Sequence, residues 1–169
     1  MFAFENIYCE RNRQLRKGDR MKKIILLLLA FVLVACSMGT KSAFDTHHEK
    51  WQDANIDHYR YSILISCFCP GTEKMPLNIE VQNGEVVSMA YVDGTSVSAE
   101  DPQFEFYSRY STIDRLFSEL KADLEGAADE VTVTYNSSVG YPDQINIDRI
   151  KDAVDDETSL MISEFEMLE

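Results

Sequence analysis

The sequence HYRYSILISCFC occupies residues 58–69 and alternates apolar side chains with mostly polar ones. Its odd-numbered positions are aromatic, aliphatic or cysteine: Tyr59, Tyr61, Ile63, Ile65, Cys67 and Cys69. Because successive side chains of a strand point to opposite faces, this pattern predicts one long strand with a single buried face. Pro70 and Gly71 follow and are expected to end the strand. A strand of this kind needs an apolar layer to cover its buried face.

Helical spacing of apolar residues appears first in residues 44–54. Phe44, His48 and Trp51 stand at positions i, i+4 and i+7, which places them on one face of a helix. The segment directly precedes the long strand. It therefore predicts an amphipathic helix that packs on the sheet.

A second and more regular helix is predicted to begin after Ser111, a suitable N-cap, and to end at Gly126. Asp114 falls in its first turn, where the helix dipole favours a carboxylate. Its apolar positions follow helical spacing: Ile113, Leu116, Phe117, Leu120 and Leu124. Residues 93–110, before it, show no periodicity and are predicted to form a long loop.

Residues 75–91 predict a β-hairpin that turns at an Asn-Gly pair ending in Gly84. A two-residue turn would pair Ile79 with Ser88, an apolar with a polar side chain. A three-residue loop ending at Gly84 instead pairs Ile79 with Val87, and register decides which face is buried. We therefore favour the longer loop, with Gly84 left-handed at a bulge. A β-branched residue in place of Gly84 is then expected to destabilise the domain.

The C-terminal part of the chain supplies further strands. Residues 131–135 and 145–147 alternate apolar with polar side chains, and the apolar stretch 160–165 predicts a closing strand, with a short helix as the alternative. The element order is helix, three strands, helix, then two or three strands. This order predicts an α+β fold for residues 44–169: a single small domain with a mostly antiparallel sheet of five to six strands and two helices packed on one face.

Charge is distributed unevenly along the chain. The sequence has 16 basic and 29 acidic side chains, of which residues 1–35 hold seven and three. Residues 36–169 therefore keep 9 basic and 26 acidic side chains, a net charge of −17. A surface this acidic repels phosphate backbones, which excludes nucleic acid as a partner and favours a basic protein or peptide.

Residues 21–35 have the organisation of a secretory signal peptide. Two lysines open the segment, and an unbroken run of twelve apolar residues follows. That length suits a signal peptide, whereas a membrane-spanning helix needs roughly 20 apolar residues. The run ends in Leu-Val-Ala before Cys36, which resembles the lipobox of bacterial lipoproteins. The resemblance implies cleavage before Cys36 and lipid on its sulfur, so that the protein is anchored to a membrane. An uncleaved anchor or a buried core helix is the alternative.

Residues 1–20 do not fit in front of such a signal, because they are rich in arginine and lack apolar periodicity. The codons for residues 17–19 can contain a ribosome-binding sequence just before the codon for Met21. We therefore predict that translation starts at Met21 rather than Met1, and that residues 1–20 are a mis-called extension.

Residues 36–43 are mostly small and polar and are predicted to form the lipid-anchored tether of the domain. The domain is then expected in the cell envelope, facing the periplasm or the exterior. Ser37 follows Cys36 where aspartate would resemble an inner-membrane retention signal. The outer membrane is therefore favoured if the organism has two membranes.

Cys67 and Cys69 allow three interpretations. An oxidising compartment favours a disulfide, but Cα atoms two residues apart in an extended strand lie roughly 6.5–7 Å apart, at the limit for that bond. The strand would have to kink before Pro70. Two buried, inert thiols are the second interpretation. The third is a redox-active pair, although no neighbouring lysine or histidine is present to lower the thiol pKa.

No motif for catalysis or cofactor binding is present. His47, His48 and His58 are possible zinc-ligand types, but their spacing with the cysteines matches no zinc pattern. The acidic residues within 148–157 lack the order of a calcium loop. The sequence has no G-x-S-x-G, no H-E-x-x-H and no phosphate-binding glycine loop. We therefore predict no catalytic residue, no metal and no other cofactor, and expect a protein that is not an enzyme.

Several of these features occur in the order typical of one family. They are Trp51, the Tyr-x-Tyr at 59–61, Cys-Phe-Cys at 67–69, the hairpin 81–86, Thr112-Ile113 with Leu116-Phe117, Tyr135, Gly140-Tyr141-Pro142, Ile147-Asp148 and Asp156-Glu157. Over about residues 45–168 the chain resembles a bacterial lipoprotein family catalogued as domain of unknown function 6174. That family has no assigned activity, so the resemblance implies no catalytic residues. It implies that the Cys-Phe-Cys and Gly-Tyr-Pro motifs belong to the scaffold or to a shared site.

Two functions from different classes follow. The first is a lipid-anchored envelope protein whose domain is a non-enzymatic binding or structural module for a basic protein or peptide. The alternative is a thiol-redox protein that uses Cys67 and Cys69. The sequence carries no signature of oligomeric state.

Overall fold

Three α-helices and six strands follow one another within residues 43–168, the part of the chain that the computed structural model describes. They are α1 (residues 43–54), β1 (His58–Cys67), β2 (Leu77–Gln82), β3 (Glu85–Tyr91), α2 (Phe104–Ser108), α3 (Ile113–Ala122), β4 (Glu130–Tyr135), β5 (Pro142–Asp148) and β6 (Thr158–Met167). The predicted extension, the signal peptide and Cys36 lie outside the described residues. None of the helices in this range reaches the length and apolarity that a bilayer crossing requires.

The six strands form one sheet in the order β3–β2–β1–β6–β5–β4, and every neighbouring pair is antiparallel. β1 is central, with β2 on one side and the last strand, β6, on the other. The prediction of a small α+β domain with an antiparallel sheet is confirmed.

The odd-numbered side chains of β1 form the middle of the core. Tyr59 is 2 % exposed and meets the indole of Trp51 from α1 edge to face, with ring centroids 5.4 Å apart. The backbone N–H of Ile113, at the start of α3, donates to the Tyr59 hydroxyl at 3.1 Å. Phe44 of α1 meets Phe117 of α3 at 5.6 Å. α1 and α3 therefore cover the same face of the sheet.

β1 is shorter than predicted and ends at Cys67. Residues 68–71 form a turn instead of continuing the strand, so Cys69 does not lie on the buried face. Gly71 is left-handed (φ 89°) and precedes a short 3₁₀ helix, Thr72–Lys74. The prediction of a strand reaching Cys69 was wrong, because a turn around Pro70 replaces the last pair of alternating positions.

Helix α2 lies inside the segment that was predicted to be a long loop. Tyr107 is 1 % exposed, packs against Tyr91 with ring centroids 6.0 Å apart, and donates through its hydroxyl to the carbonyl of Gly71 at 3.4 Å. Five residues are too few to show a hydrophobic period. This helix depends on the packing of a tyrosine against β3, which the local pattern does not reveal.

Helix α3 begins and ends close to the predicted positions. Its N-cap is Thr112, whose Oγ1 accepts from the N–H of Arg115 at 3.1 Å, whereas Ser111 donates to the carbonyl of Ser108. The prediction of Ser111 as the cap was therefore wrong by one residue. Gly126, at φ 116°, ends the turn that follows the helix.

The β2–β3 hairpin combines a two-residue turn with a bulge. Asn83 and Gly84 are both left-handed, at φ 53° and 78°, as a type I′ turn requires. The ladder then skips one residue of β3, so that Val87 has no partner and Ile79 pairs with Met89. The favoured three-residue loop was wrong, because a bulge after a tight turn restores apolar pairing.

The Gly-Tyr-Pro motif packs the β4–β5 turn onto α1. Gly140 has φ 94°, and a Cβ atom there would lie 2.5 Å from the carbonyl oxygen of His47 and 3.1 Å from the nitrogen of Trp51. Tyr141 stacks on Phe165 with centroids 4.5 Å apart. These contacts place the motif in the scaffold.

We expect Gly140→Ala to destabilise the domain far more than Gly84→Ala. Both glycines are left-handed, which costs alanine roughly 1–2 kcal/mol. A Cβ at Gly84 meets nothing within 4 Å, whereas one at Gly140 collides with backbone. Overpacking adds about 1–3 kcal/mol. Denaturant unfolding of the two variants measures the difference, and equal destabilisation would contradict the close contact.

Candidate functional site

The second face of the sheet carries the even-numbered side chains of β1 and is mostly polar. We call it the open face. It carries Leu64 and its pair Met161, and its polar side chains include Arg60, Ser62, Ser66, Asn78, Glu80, Thr132, Asn146, Ser159, Glu164 and Glu166. Most of these residues are exposed or half-buried, whereas the odd-numbered neighbours of Ser62 are buried under α1 and α3. Within residues 43–168, this mostly polar face of the sheet lies opposite the face that packs into the core.

A groove of about 580 Å³ runs along the middle of the open face. We call it the central groove, and it is lined by Arg60, Ser62, Asn78, Glu80, Glu164 and Glu166. At its floor the hydroxyl of Ser62 lies 2.6 Å from Asn78 Oδ1 and 3.0 Å from Glu164 Oε2. A hydroxyl has one proton, so it serves one of these two oxygens at a time. Three carboxylates and one guanidinium line the groove, so its side chains carry more negative than positive charge.

Glu164 owes its position to an irregularity in the β1–β6 pairing. Arg60 pairs with Glu166 and Ser62 with Ser163, so β6 contains one residue more than β1 in this interval. Glu164 has φ 53°, in the left-handed region that non-glycine residues rarely adopt. Such a conformation costs about 1–3 kcal/mol and is often found at functional sites. The bulge brings this carboxylate beside Ser62.

The other carboxylates of the central groove already have cationic or polar partners. His58 Nε2 lies 2.9 Å from Glu80 Oε1, and Arg60 Nε donates to Glu166 at 2.8 Å. Glu164 makes no ion pair with any residue in 43–168. Its charge is therefore available to a positively charged group from another molecule.

A second groove, of about 260 Å³, lies toward β4. We call it the lateral groove, and it is lined by Ser66, Glu130, Thr132, Asn146, Asp148 and Glu157. Ser159 Oγ donates to Asn146 Oδ1 at 2.8 Å, and Asn146 Nδ2 donates to Thr132 Oγ1 at 3.2 Å. These bonds order the polar side chains across β6, β5 and β4.

The lateral groove has a concentrated negative charge at one end. The pKa of Asp148 is raised, first by partial loss of solvent and then by the nearby carboxylates of Asp156, Glu157, Glu130 and Asp129. Neighbouring carboxylates repel one another, and a cation placed among them relieves that repulsion. Both grooves therefore favour ligands with ammonium or guanidinium groups.

The structure joins Cys67 and Cys69 by a disulfide, with their Cα atoms 5.2 Å apart. The turn at 68–71 permits this approach, because the second cysteine lies beyond the end of β1. Both cysteines are half-buried, and Phe68 between them is 82 % exposed. The predicted lipidation site, Cys36, lies outside the described residues.

The three histidines considered as metal ligands have different surroundings. His47 stacks on Tyr135 at 4.3 Å, His48 packs against Phe117 at 4.6 Å, and His58 contacts Glu80. In the part of the chain covered by residues 43–168, no three His, Cys, Asp or Glu side chains are arranged to hold a metal ion.

Sequence reasoning did not identify the residues of the central groove as a site. The alternation in β1 did indicate that its even-numbered side chains, which are mostly polar, share one face of the strand. Glu80 and Glu164 belong to strands about 80 residues apart, and only the pairing of β1 with both strands brings them together. No alternation or spacing of residues in the sequence of β6 reveals that this strand contains one residue more than β1.

Comparison with known proteins agrees with the resemblance noted in the sequence. A model of a family of unknown function, DUF6174, matches residues 43–167, nearly all of the range that the structure describes. No curated protein matches the chain. The chain therefore belongs to the DUF6174 family.

Proposed function

We propose that this protein is a lipid-anchored component of the cell envelope whose domain is a non-enzymatic module that binds a basic protein or peptide on the open face. Lipid on Cys36 holds it at the membrane, and residues 36–43 form the tether. The domain faces the periplasm or the exterior, at the outer membrane in a cell that has two membranes. Nucleic acid is not a partner.

The excess of negative charge in the central groove is the observation that supports this function. Ser62 has one proton for two neighbouring oxygens, and Glu164 is a charged group without an ion pair among the described residues. Lysine and arginine side chains bring several donors and a positive charge. A ligand of this kind offsets the negative charge of the groove, whereas an anionic ligand adds to it.

The strained backbone at Glu164 supports the same conclusion. A glycine at this position would adopt φ 53° at little cost, yet the chain has a glutamate there. The residue at the bulge therefore contributes something other than stability. A carboxylate directed into the groove, next to Ser62, is such a contribution.

We expect hexalysine to bind the full chain in a non-ionic detergent, and hexaglutamate not to bind. The double variant Glu80→Gln/Glu164→Gln should weaken hexalysine binding about 3- to 10-fold, since each exposed charge pair contributes up to about 1 kcal/mol. Added salt should weaken it further. Isothermal titration calorimetry measures the dissociation constants.

The matched control is Glu105→Gln/Glu125→Gln, which removes the same charge from exposed positions outside the two grooves. Glu164→Gly removes the carboxylate and relieves the backbone, so it should weaken binding without lowering the free energy of unfolding. Equal losses in the double variant and its control would contradict a specific role for the central groove.

Cys36→Ser should abolish both lipid labelling and membrane retention. Bacteria that express the full chain and are fed radioactive palmitate provide the measurement, with label and membrane fraction as separate readouts. Cys9→Ser is the control and should change neither, because Cys9 does not follow the apolar run of a signal peptide. Label that persists in Cys36→Ser would refute the proposed anchor.

Thiol-redox chemistry at Cys67 and Cys69 is the second candidate function. It is favoured by the disulfide between two half-buried cysteines that flank an exposed phenylalanine. As a binding module, the native chain should keep this bond in millimolar glutathione and lose it only after denaturation. Alkylation followed by mass spectrometry of the peptide 61–74 detects the two states. Rapid reduction of the native chain would favour redox function instead.

A further inference from the structure

The two edges of the sheet are treated differently by the rest of the chain. At the β3 edge, the N–H of Tyr91 donates to the carbonyl of Thr95 at 2.9 Å, and the N–H of Val97 donates to Met89 at 2.8 Å. An isolated bridge joins Ala90 to Ser96. The segment after β3 therefore folds back and covers part of this edge.

The other edge, β4, has no strand beside it within residues 43–168. Every second residue of an edge strand turns its N–H and C=O groups outward, where they form a template for another strand. Proteins guard such edges with lysine, proline or a bulge. The sequence of β4 is EVTVTY, which contains neither lysine nor proline, and its one register shift places the extra residue, Asp143, in β5. Within residues 43–168, β4 is an edge strand without lysine, proline or a bulge of its own.

β4 is also held in a regular extended shape. Val131 and Val133 are half-buried and pack against the core, and Tyr135 stacks on His47 of α1. Thr132 and Thr134 are exposed on the open face. Three residues of β4 therefore pack on the face of the sheet that the helices cover. The two threonines, which are β-branched and favour strands, lie on the open face. The edge presents its backbone groups without needing to be ordered first.

Charge complementarity indicates which kind of strand fits this edge. Glu130 begins β4 and lines the lateral groove together with Asp148 and Glu157. Arg149, which follows Asp148 along the chain, is paired with Asp123 at 2.8 Å. An incoming strand that carries lysine or arginine on the open-face side meets this group of carboxylates directly. A second copy of the same acidic chain would bring more negative charge to it.

We propose that β4 binds an extended, basic segment of a partner protein, which adds to the sheet as a seventh strand with its cationic side chains over the lateral groove. The inference rests on the proposed function in that the partner is basic. It adds the mode of recognition: backbone hydrogen bonds give affinity, and alternate side chains give selectivity.

The test uses the full chain in a non-ionic detergent and two synthetic probes. One probe is an eight-residue peptide that alternates lysine with valine or threonine. The other has the same sequence and charge but is N-methylated at its central peptide groups, so it cannot pair with a strand. We expect the methylated peptide to bind at least 10-fold more weakly. Hydrogen–deuterium exchange should show protection of residues 130–135 by the first peptide alone.

Thr132→Lys gives an independent measurement, because a lysine on β4 guards the edge and repels a basic strand. It should weaken binding of the alternating peptide at least 5-fold and leave the melting temperature unchanged within a few degrees. Val87→Lys is the matched control: it adds the same charge at an exposed position near the other edge, and it should change binding less than 2-fold.

Each alternative result overturns the edge proposal in a recognisable way. Equal binding of both peptides, with protection confined to the central groove, would refute the added strand and leave the proposed function intact. Failure of both peptides to bind would refute the two proposals together. A concentration-dependent dimer in analytical ultracentrifugation, with residues 130–135 protected before any peptide is added, would show that a second copy occupies the edge.

Discussion

The pairing of β1 with β6 is the contact on which the rest of the structure depends. It joins the first strand of the domain to the last, about 100 residues apart, and unites two three-stranded halves into one sheet. Ile63 pairs with Ile162, and Tyr59 stacks on Phe165 with ring centroids 5.6 Å apart. Closing a loop of this length costs more conformational entropy than pairing the two strands of a hairpin. Buried apolar and aromatic contacts along ten residues offset that cost.

The same pairing creates the site on the opposite face. Ser62 lies between Asn78 of β2 and Glu164 of β6, so its two acceptors come from the two halves of the sheet. Neither half alone contains the central groove. Under the proposed binding function, a cationic ligand that contacts both Glu80 and Glu164 would stabilise the β2–β1–β6 unit. The bulge at Glu164 lies in this β1–β6 pairing and not in a hairpin between consecutive strands.

Features that repeat along one segment were predictable from the sequence. The alternation in β1, the helical spacing of α3 and the Asn-Gly turn each specify local geometry, and the structure contains all three. Helix α2 was missed, because it exists through the contacts of Tyr107 with Tyr91 and Gly71. The predicted hairpin register was wrong. It assumed that side chains alternate without interruption along β3, but the unpaired Val87 shifts that alternation by one residue. Errors of this kind arise where pairing between strands, and not the period of one strand, decides the geometry.

The candidate site was the least predictable part, and its chemistry shows why. Two carboxylates outside the grooves have arginine partners: Arg109 pairs with Glu119, and Arg149 with Asp123. On the open face, Glu164 has no such partner within the described range, and Asp148 is crowded by other carboxylates. Repulsion and a left-handed glutamate both lower stability, and a sequence selected for stability alone would remove them. Both features depend on the pairing of strands that are far apart in the sequence, so no local pattern in the chain predicts them.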